Sequence, residues 1–95
     1  MTGDVILGYQ ILYHRNINKD LKKLDKKIVD LFFSAVKEKI LKDPYIGVKL
    51  KGRYRNLWKY RIGDFRIIYS IKKGEIRILI LRIRHRSNVY DNIYF

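Results

Sequence analysis

Residues 57–69 read LWKYRIGDFRIIY, and their reading decides the fold. Apolar and polar residues alternate on both sides of Gly63-Asp64, the pattern of two half-buried strands. The Gly-Asp pair suits a two-residue hairpin turn, because glycine adopts positive φ without a Cβ clash. Such a turn sets the register: Ile62 opposes Phe65, Arg61 opposes Arg66, Tyr60 opposes Ile67, Lys59 opposes Ile68 and Trp58 opposes Tyr69. Directly opposed residues share a face. One face therefore carries Trp58, Tyr60, Ile62, Phe65, Ile67 and Tyr69 and belongs against a core, while the other carries Lys59, Arg61 and Arg66.

Downstream, EIRILILRIRH (75–85) continues the β-rich pattern, with Lys73-Gly74 read as a second two-residue turn. This register pairs Tyr69 with Ile78 and Arg66 with Leu81. It sends Ile76, Ile78 and Ile80 toward the core, and Leu79, Leu81, Ile83 and His85 toward the cationic face, with Arg84 behind the sheet. A bulge near the strand end reverses the last step, so parity leaves Arg84 and His85 as alternatives.

Upstream, YQILYH (9–14) reads as a first strand, and RNINKDLKKL (15–24) opens a helix with Asn16 or Asn18 as N-cap. A longer helix is predicted from about Lys26 to Lys42, its apolar residues Val29, Phe32, Phe33, Val36 and Ile40 recurring at spacings of three and four. Asp43-Pro44 ends it, since proline disfavours helical geometry at the preceding residue. The order is β-α-α-β-β-β: one α+β domain over residues 1–95, with a helical hairpin packed on one face of a small antiparallel sheet.

Charge is distributed as unevenly as hydrophobicity. The chain has 22 Lys+Arg against 9 Asp+Glu, a formal charge of +13. Residues 1–48 hold 9 basic and 6 acidic side chains, whereas residues 49–86 hold 13 and 2; eight arginines fall between 53 and 86. Arg61 opposite Arg66 is a like-charge pair, which costs a sheet up to about 1 kcal/mol. A solvated open face is expected to mix signs, and no carboxylate joins this one. Guanidinium forks suit phosphate, so a polyanion is the expected partner, with nucleic acid ahead of a membrane. The absence of cysteine removes disulfides, thiolate zinc sites and cysteine nucleophiles. No apolar run reaches the roughly 18 residues of a membrane span, and no signal-peptide pattern opens the chain, so a soluble cytoplasmic domain is expected.

KLKG (49–52), LWKYRIGDFRIIY (57–69) and RHRSNVY (84–90) together resemble the RelE/ParE superfamily of toxins from type II toxin–antitoxin pairs. The likeness covers essentially the whole chain and implies the same fold. The RelE branch fits better than the ParE branch, because its motif of basic residues and a late tyrosine matches Lys59, Arg61, Arg66, Arg84 and Tyr90. One departure is that the second basic position, often lysine, is Arg61 here. Some relatives place a histidine in the last strand, which keeps His85 as a possible catalytic group. His14 lies in the first strand, far from this set in the sequence.

The resemblance implies a ribosome-dependent endoribonuclease that cuts mRNA in the A site. The RNA 2′-hydroxyl is the nucleophile, so neither metal nor cofactor is needed, and the products are a 2′,3′-cyclic phosphate and a free 5′-hydroxyl. Arg61 and Arg66 suit the phosphate clamp. Cationic surroundings ease loss of a proton from a phenol, so Tyr90 suits a base with Lys59 assisting, and Arg84 suits stabilisation of the leaving oxygen. Lys49, Lys51, Arg53, Arg55 and Arg86 are expected RNA-binding residues. The alternatives are a ParE-like gyrase inhibitor and a non-catalytic nucleic-acid-binding domain. An acidic RelB-like antitoxin, in a toxin–antitoxin heterotetramer, is the implied protein partner, beside ribosome and mRNA.

Overall fold

The structure, a computed structural model, describes residues 8–88. Strand β1 (Gln10–Tyr13) leads into α1 (Asn16–Lys22) and α2 (Lys26–Ala35), followed by β2 (Val48–Lys49), β3 (Trp58–Ile62), β4 (Phe65–Lys72) and β5 (Arg77–His85). The five strands form one sheet in the order β1-β5-β4-β3-β2. The α+β class and the helical hairpin agree with the expectation. The sheet itself is mixed rather than antiparallel, because β1 pairs parallel with β5, from Gln10–Arg77 to Tyr13–Ile80. The intervening helical hairpin lets the chain return in the same direction, and β5 enters as a central strand between β1 and β4.

The first helix starts differently from the prediction, whereas the second begins at Lys26 as expected. Neither Asn16 nor Asn18 is the N-cap of α1; the boundary residue is Arg15, and the His14 Nδ1 accepts the Asn16 N–H at 3.1 Å. The imidazole thus satisfies one of the orphan donors of the first turn. Asp25 caps α2, its carboxylate accepting the Ile28 N–H at 3.0 Å. After Ala35 the helix widens over Val36–Ile40, and the Leu41 N–H reaches back to the Val36 carbonyl at 2.8 Å. Asp43 then turns extended (φ −147°, ψ 90°) ahead of Pro44, as its position before a proline requires.

Phe32, Val36 and Ile40 are fully buried against Ile67, Tyr69, Ile78 and Ile80, with Ile17 and Ile83 completing the core. Burial of each such side chain contributes about 1.5–3 kcal/mol. On the opposite face a smaller cluster joins Ile68 and Leu81 to Leu57 and Leu79. Tyr69 pins the chain after α2 to the sheet. Its hydroxyl donates to the Pro44 carbonyl at 2.8 Å and accepts the Gly47 N–H at 3.2 Å. Burial pushes its pKa up to about 12. Gly47 is necessary here, since a Cβ would lie 2.5 Å from both the Lys59 carbonyl oxygen and the Tyr69 hydroxyl.

Candidate functional site

The β3–β4 hairpin has the register read from its turn, with Gly63 at φ 59° and pairs running from Ile62–Phe65 to Trp58–Tyr69. Arg61 and Arg66 are therefore directly opposed on the face away from the helices. Both turn toward the hairpin end: Arg61 Nε donates to the Gly63 carbonyl at 3.1 Å, and Arg66 Nη1 reaches the same oxygen at 3.5 Å and the Phe65 carbonyl at 3.2 Å. The shared carbonyl dipole offsets part of the repulsion between the two guanidiniums.

The second hairpin departs from the prediction in two ways, with different consequences. The β4–β5 connection is longer than two residues: Lys73–Glu75 form a helical turn, Ile76 adopts the left-handed region (φ 55°), and Lys72 pairs with Arg77. Tyr69 consequently opposes Ile80, not Ile78. This change is an even number of residues, so every side chain keeps its face. A bulge then places Leu81 as an extra residue between the pairs Tyr69–Ile80 and Ile68–Arg82. An odd insertion exchanges the faces of everything beyond it. Ile83 joins the helix-side core, Arg66 opposes Arg84 instead of Leu81, and Phe65 opposes His85.

Arg61, Arg66 and Arg84 thus form a row across β3, β4 and β5, about 10 Å long by the usual strand spacing. Among the described residues no carboxylate pairs with any of the three. Lys59, half-buried, sits two residues from Arg61 on the same face. His85 stands apart, its ring edge-on to Phe65 with centroids 5.4 Å apart. Its Nδ1 accepts the Ser87 N–H at 3.2 Å and lies 2.9 Å from the Ser87 Oγ. Exposed Arg86 follows β5, its N–H donating to the Asp64 carbonyl at 2.7 Å and tying the strand end to the first hairpin turn. Tyr90 lies outside the described residues.

The other four expected RNA-binding cations sit at the far edge of the sheet. Lys49, Lys51, Arg53 and Arg55 are exposed on β2 and the turn that follows it. Lys49 and Arg55, with Lys72 and Lys73, also surround a depression of about 590 Å³ whose lining includes Leu57, Ser70, Leu79 and Leu81.

Asp20 is the residue that sequence reasoning missed. Past Tyr13–Ile80, β5 has no strand on its β1 side, and Asp20 of α1 takes that place. Its carboxylate accepts the Ile83 N–H at 3.0 Å and binds Arg82 in a fork, Nε at 2.9 Å and Nη2 at 2.8 Å. Side-chain exposure is only 5% for Asp20 and 16% for Arg82, so this is a largely desolvated pair. Hydrogen bonding to Asp20 holds the Arg82 guanidinium above its usual pKa. The signal was available: Asp20 interrupts the apolar face that Ile17 and Leu21 define in the helix.

A helical hairpin on one face of the sheet and a guanidinium row on the other define a small basic α+β domain with an open cationic face. The chain matches the family model described as the ParE toxin of type II toxin–antitoxin systems, parDE, over residues 11–90, and it belongs to this RelE/ParE superfamily. It is 30% identical over 83 residues to toxin RelE of Mycobacterium tuberculosis, covering 86% of each chain. The RelBE2 toxin–antitoxin complex from the same organism contains a chain with the same fold (TM-score 0.77, 24% identity, 83% of this chain and 99% of that one). The RelE–RelB complex of Pyrococcus horikoshii gives a TM-score of 0.58 at 26% identity, over 83% and 96% of the two chains.

Proposed function

We propose that this toxin is a ribosome-dependent endoribonuclease that cuts mRNA in the A site. The observation that carries the reading is the row Arg61–Arg66–Arg84 on the uncovered face, next to Lys59. An RNA 2′-oxygen attacks the adjacent phosphorus, the bond to the 5′-oxygen breaks, and the products are a 2′,3′-cyclic phosphate and a 5′-hydroxyl. Negative charge grows on the non-bridging and leaving oxygens as this happens. Permanently charged guanidiniums gathered on one face stabilise that charge once Arg61 and Arg66 release the Gly63 carbonyl to meet the phosphate. In this reading Arg61 and Arg66 hold the phosphate and Arg84 meets the leaving oxygen. Lys59 and Tyr90 serve proton transfer, and no metal or cofactor takes part.

The protein partner in this reading is an acidic RelB-like antitoxin, by analogy with the RelB–RelE complexes of the structural relatives, and the heterotetramer is what the family resemblance implies. A net charge of +13 favours such a partner.

The test is primer extension on purified ribosomes programmed with a defined mRNA. Wild type should cut within the A-site codon, while Arg66→Ala and Arg84→Ala should not, and naked RNA should stay intact. Efficient cutting of free strands would overturn ribosome dependence. Toxicity that survives both substitutions would instead favour a gyrase-directed mode, which the ParE description of the family model keeps in view.

A further inference from the structure

Across the open face from Arg84, beside Lys59, lies a surface pocket of about 410 Å³ lined by Val48, Lys49, Leu50, Lys51, Tyr54 and Lys59. Its apolar part is shaped by the short ladder of β2. Val48 stands directly opposite Lys59, and Leu50 extends the pairing by donating to the Leu57 carbonyl at 2.9 Å. Val48, Leu50 and Lys59 therefore share the face that carries the arginine row. Leu50 is buried, but Val48 leaves 61% of its surface in solvent. Tyr54 ends a helical turn that begins at Gly52 (φ 64°), and the Arg53 guanidinium lies over its ring, 5.7 Å from the centroid.

An exposed valine and a tyrosine ring offer a dry contact surface, and three lysines line the same pocket with no carboxylate among the described residues. The matching ligand is flat and apolar in one part and anionic in another, which describes a nucleotide. The pocket shares Lys59 with the cationic face, and Lys59 lies about 7 Å along β3 from Arg61. A strand whose phosphate rests on the arginine row passes this pocket with a neighbouring nucleotide.

We infer that the pocket receives one unstacked base of the RNA, packed against Tyr54 and Val48, with the flanking phosphates met by Lys49 and Lys51. Arg53 stiffens the platform by occupying the Tyr54 ring from outside the lining. The choice of RNA as the polyanion rests on the function proposed above; the pocket adds a base-selective subsite away from the scissile phosphate.

The experiment uses the isotope-labelled full chain, titrated with four-nucleotide single-stranded RNAs and with the same RNAs carrying one abasic position. Intact RNA should shift the NMR signals of Val48 and Tyr54, and the abasic version should not. Tyr54→Ala should weaken binding about 5- to 150-fold, the range of one base–aromatic stack, and Tyr54→Phe should restore it. Val48→Ser, at an exposed position, should weaken binding without touching the core. Equal shifts with abasic RNA would overturn the subsite, leaving phosphate contacts alone. A glutamate-rich peptide that moves Val48 and Tyr54 when RNA does not would overturn it too, assigning the pocket to a protein partner. The two readings separate cleanly: base-dependent shifts without ribosomal cutting would sink the nuclease, whereas cutting with a silent pocket would sink the subsite.

Discussion

Arg66 and Arg84 stand directly opposite one another across β4 and β5, a pairing that the one-residue bulge at Leu81 creates. With Arg61 on the other side of Arg66, two like-charge pairs meet in one row. Each such pair costs a sheet up to about 1 kcal/mol. A row that folding disfavours is a row kept for a ligand, and this separates activity from stability.

Arg66→Ala and Arg84→Ala should each lower cleavage on programmed ribosomes by about 10²–10³-fold, the usual loss for one donor to a charged transition state. Thermal unfolding midpoints should stay level or rise, because repulsion is relieved. His85→Ala is the control. Its ring packs edge-on to Phe65 on the helix side, so most activity should remain. Equal losses for His85→Ala and Arg84→Ala would contradict the register seen here.

Asp20→Ala should be the most damaging single substitution outside the core. It strands the Arg82 guanidinium, only 16% exposed, and leaves the Ile83 N–H without its acceptor. Breaking a buried pair from one side costs about 3–5 kcal/mol, which urea unfolding would measure. A loss below about 1 kcal/mol would show the pair to be solvated.

Tyr69 predicts an alkaline limit to stability. Its folded pKa of about 12 lies above the ordinary phenol value of 10.0. Between these values the unfolded chain gives up the phenolic proton and the folded chain keeps it, so stability falls as pH rises through that window and is fully present below it. Tyr69→Phe should lose this pH-dependent component. It should also cost about 1–3 kcal/mol at neutral pH by leaving the Pro44 carbonyl and the Gly47 N–H unpartnered. Denaturant midpoints between pH 7 and pH 12 would test both parts.

Gly47→Ala probes the same clamp by crowding it. A methyl group 2.5 Å from the Lys59 carbonyl and the Tyr69 hydroxyl forces the backbone apart. Overpacking of this kind costs about 1–3 kcal/mol. Because the displaced backbone includes Lys59, ribosomal cleavage should fall as well, even at temperatures where circular dichroism shows the variant folded.

The residues 57–69 were enough to determine the first hairpin, its buried aromatic face and the opposed Arg61 and Arg66. Turn chemistry and period-two alternation act over neighbouring residues, so the chain itself carries that information. The amphipathic spacing that buries Phe32, Val36 and Ile40 was legible for the same reason. Only the tertiary structure decided that β1 joins parallel, that Asp20 closes the edge β1 leaves open, and that a bulge at Leu81 turns Arg84 rather than His85 onto the open face. These depend on where one strand stops beside another and on what fills the gap. The contact between Asp20 and Arg82 spans 62 residues, and a local pattern that marks Asp20 as out of place does not name its partner.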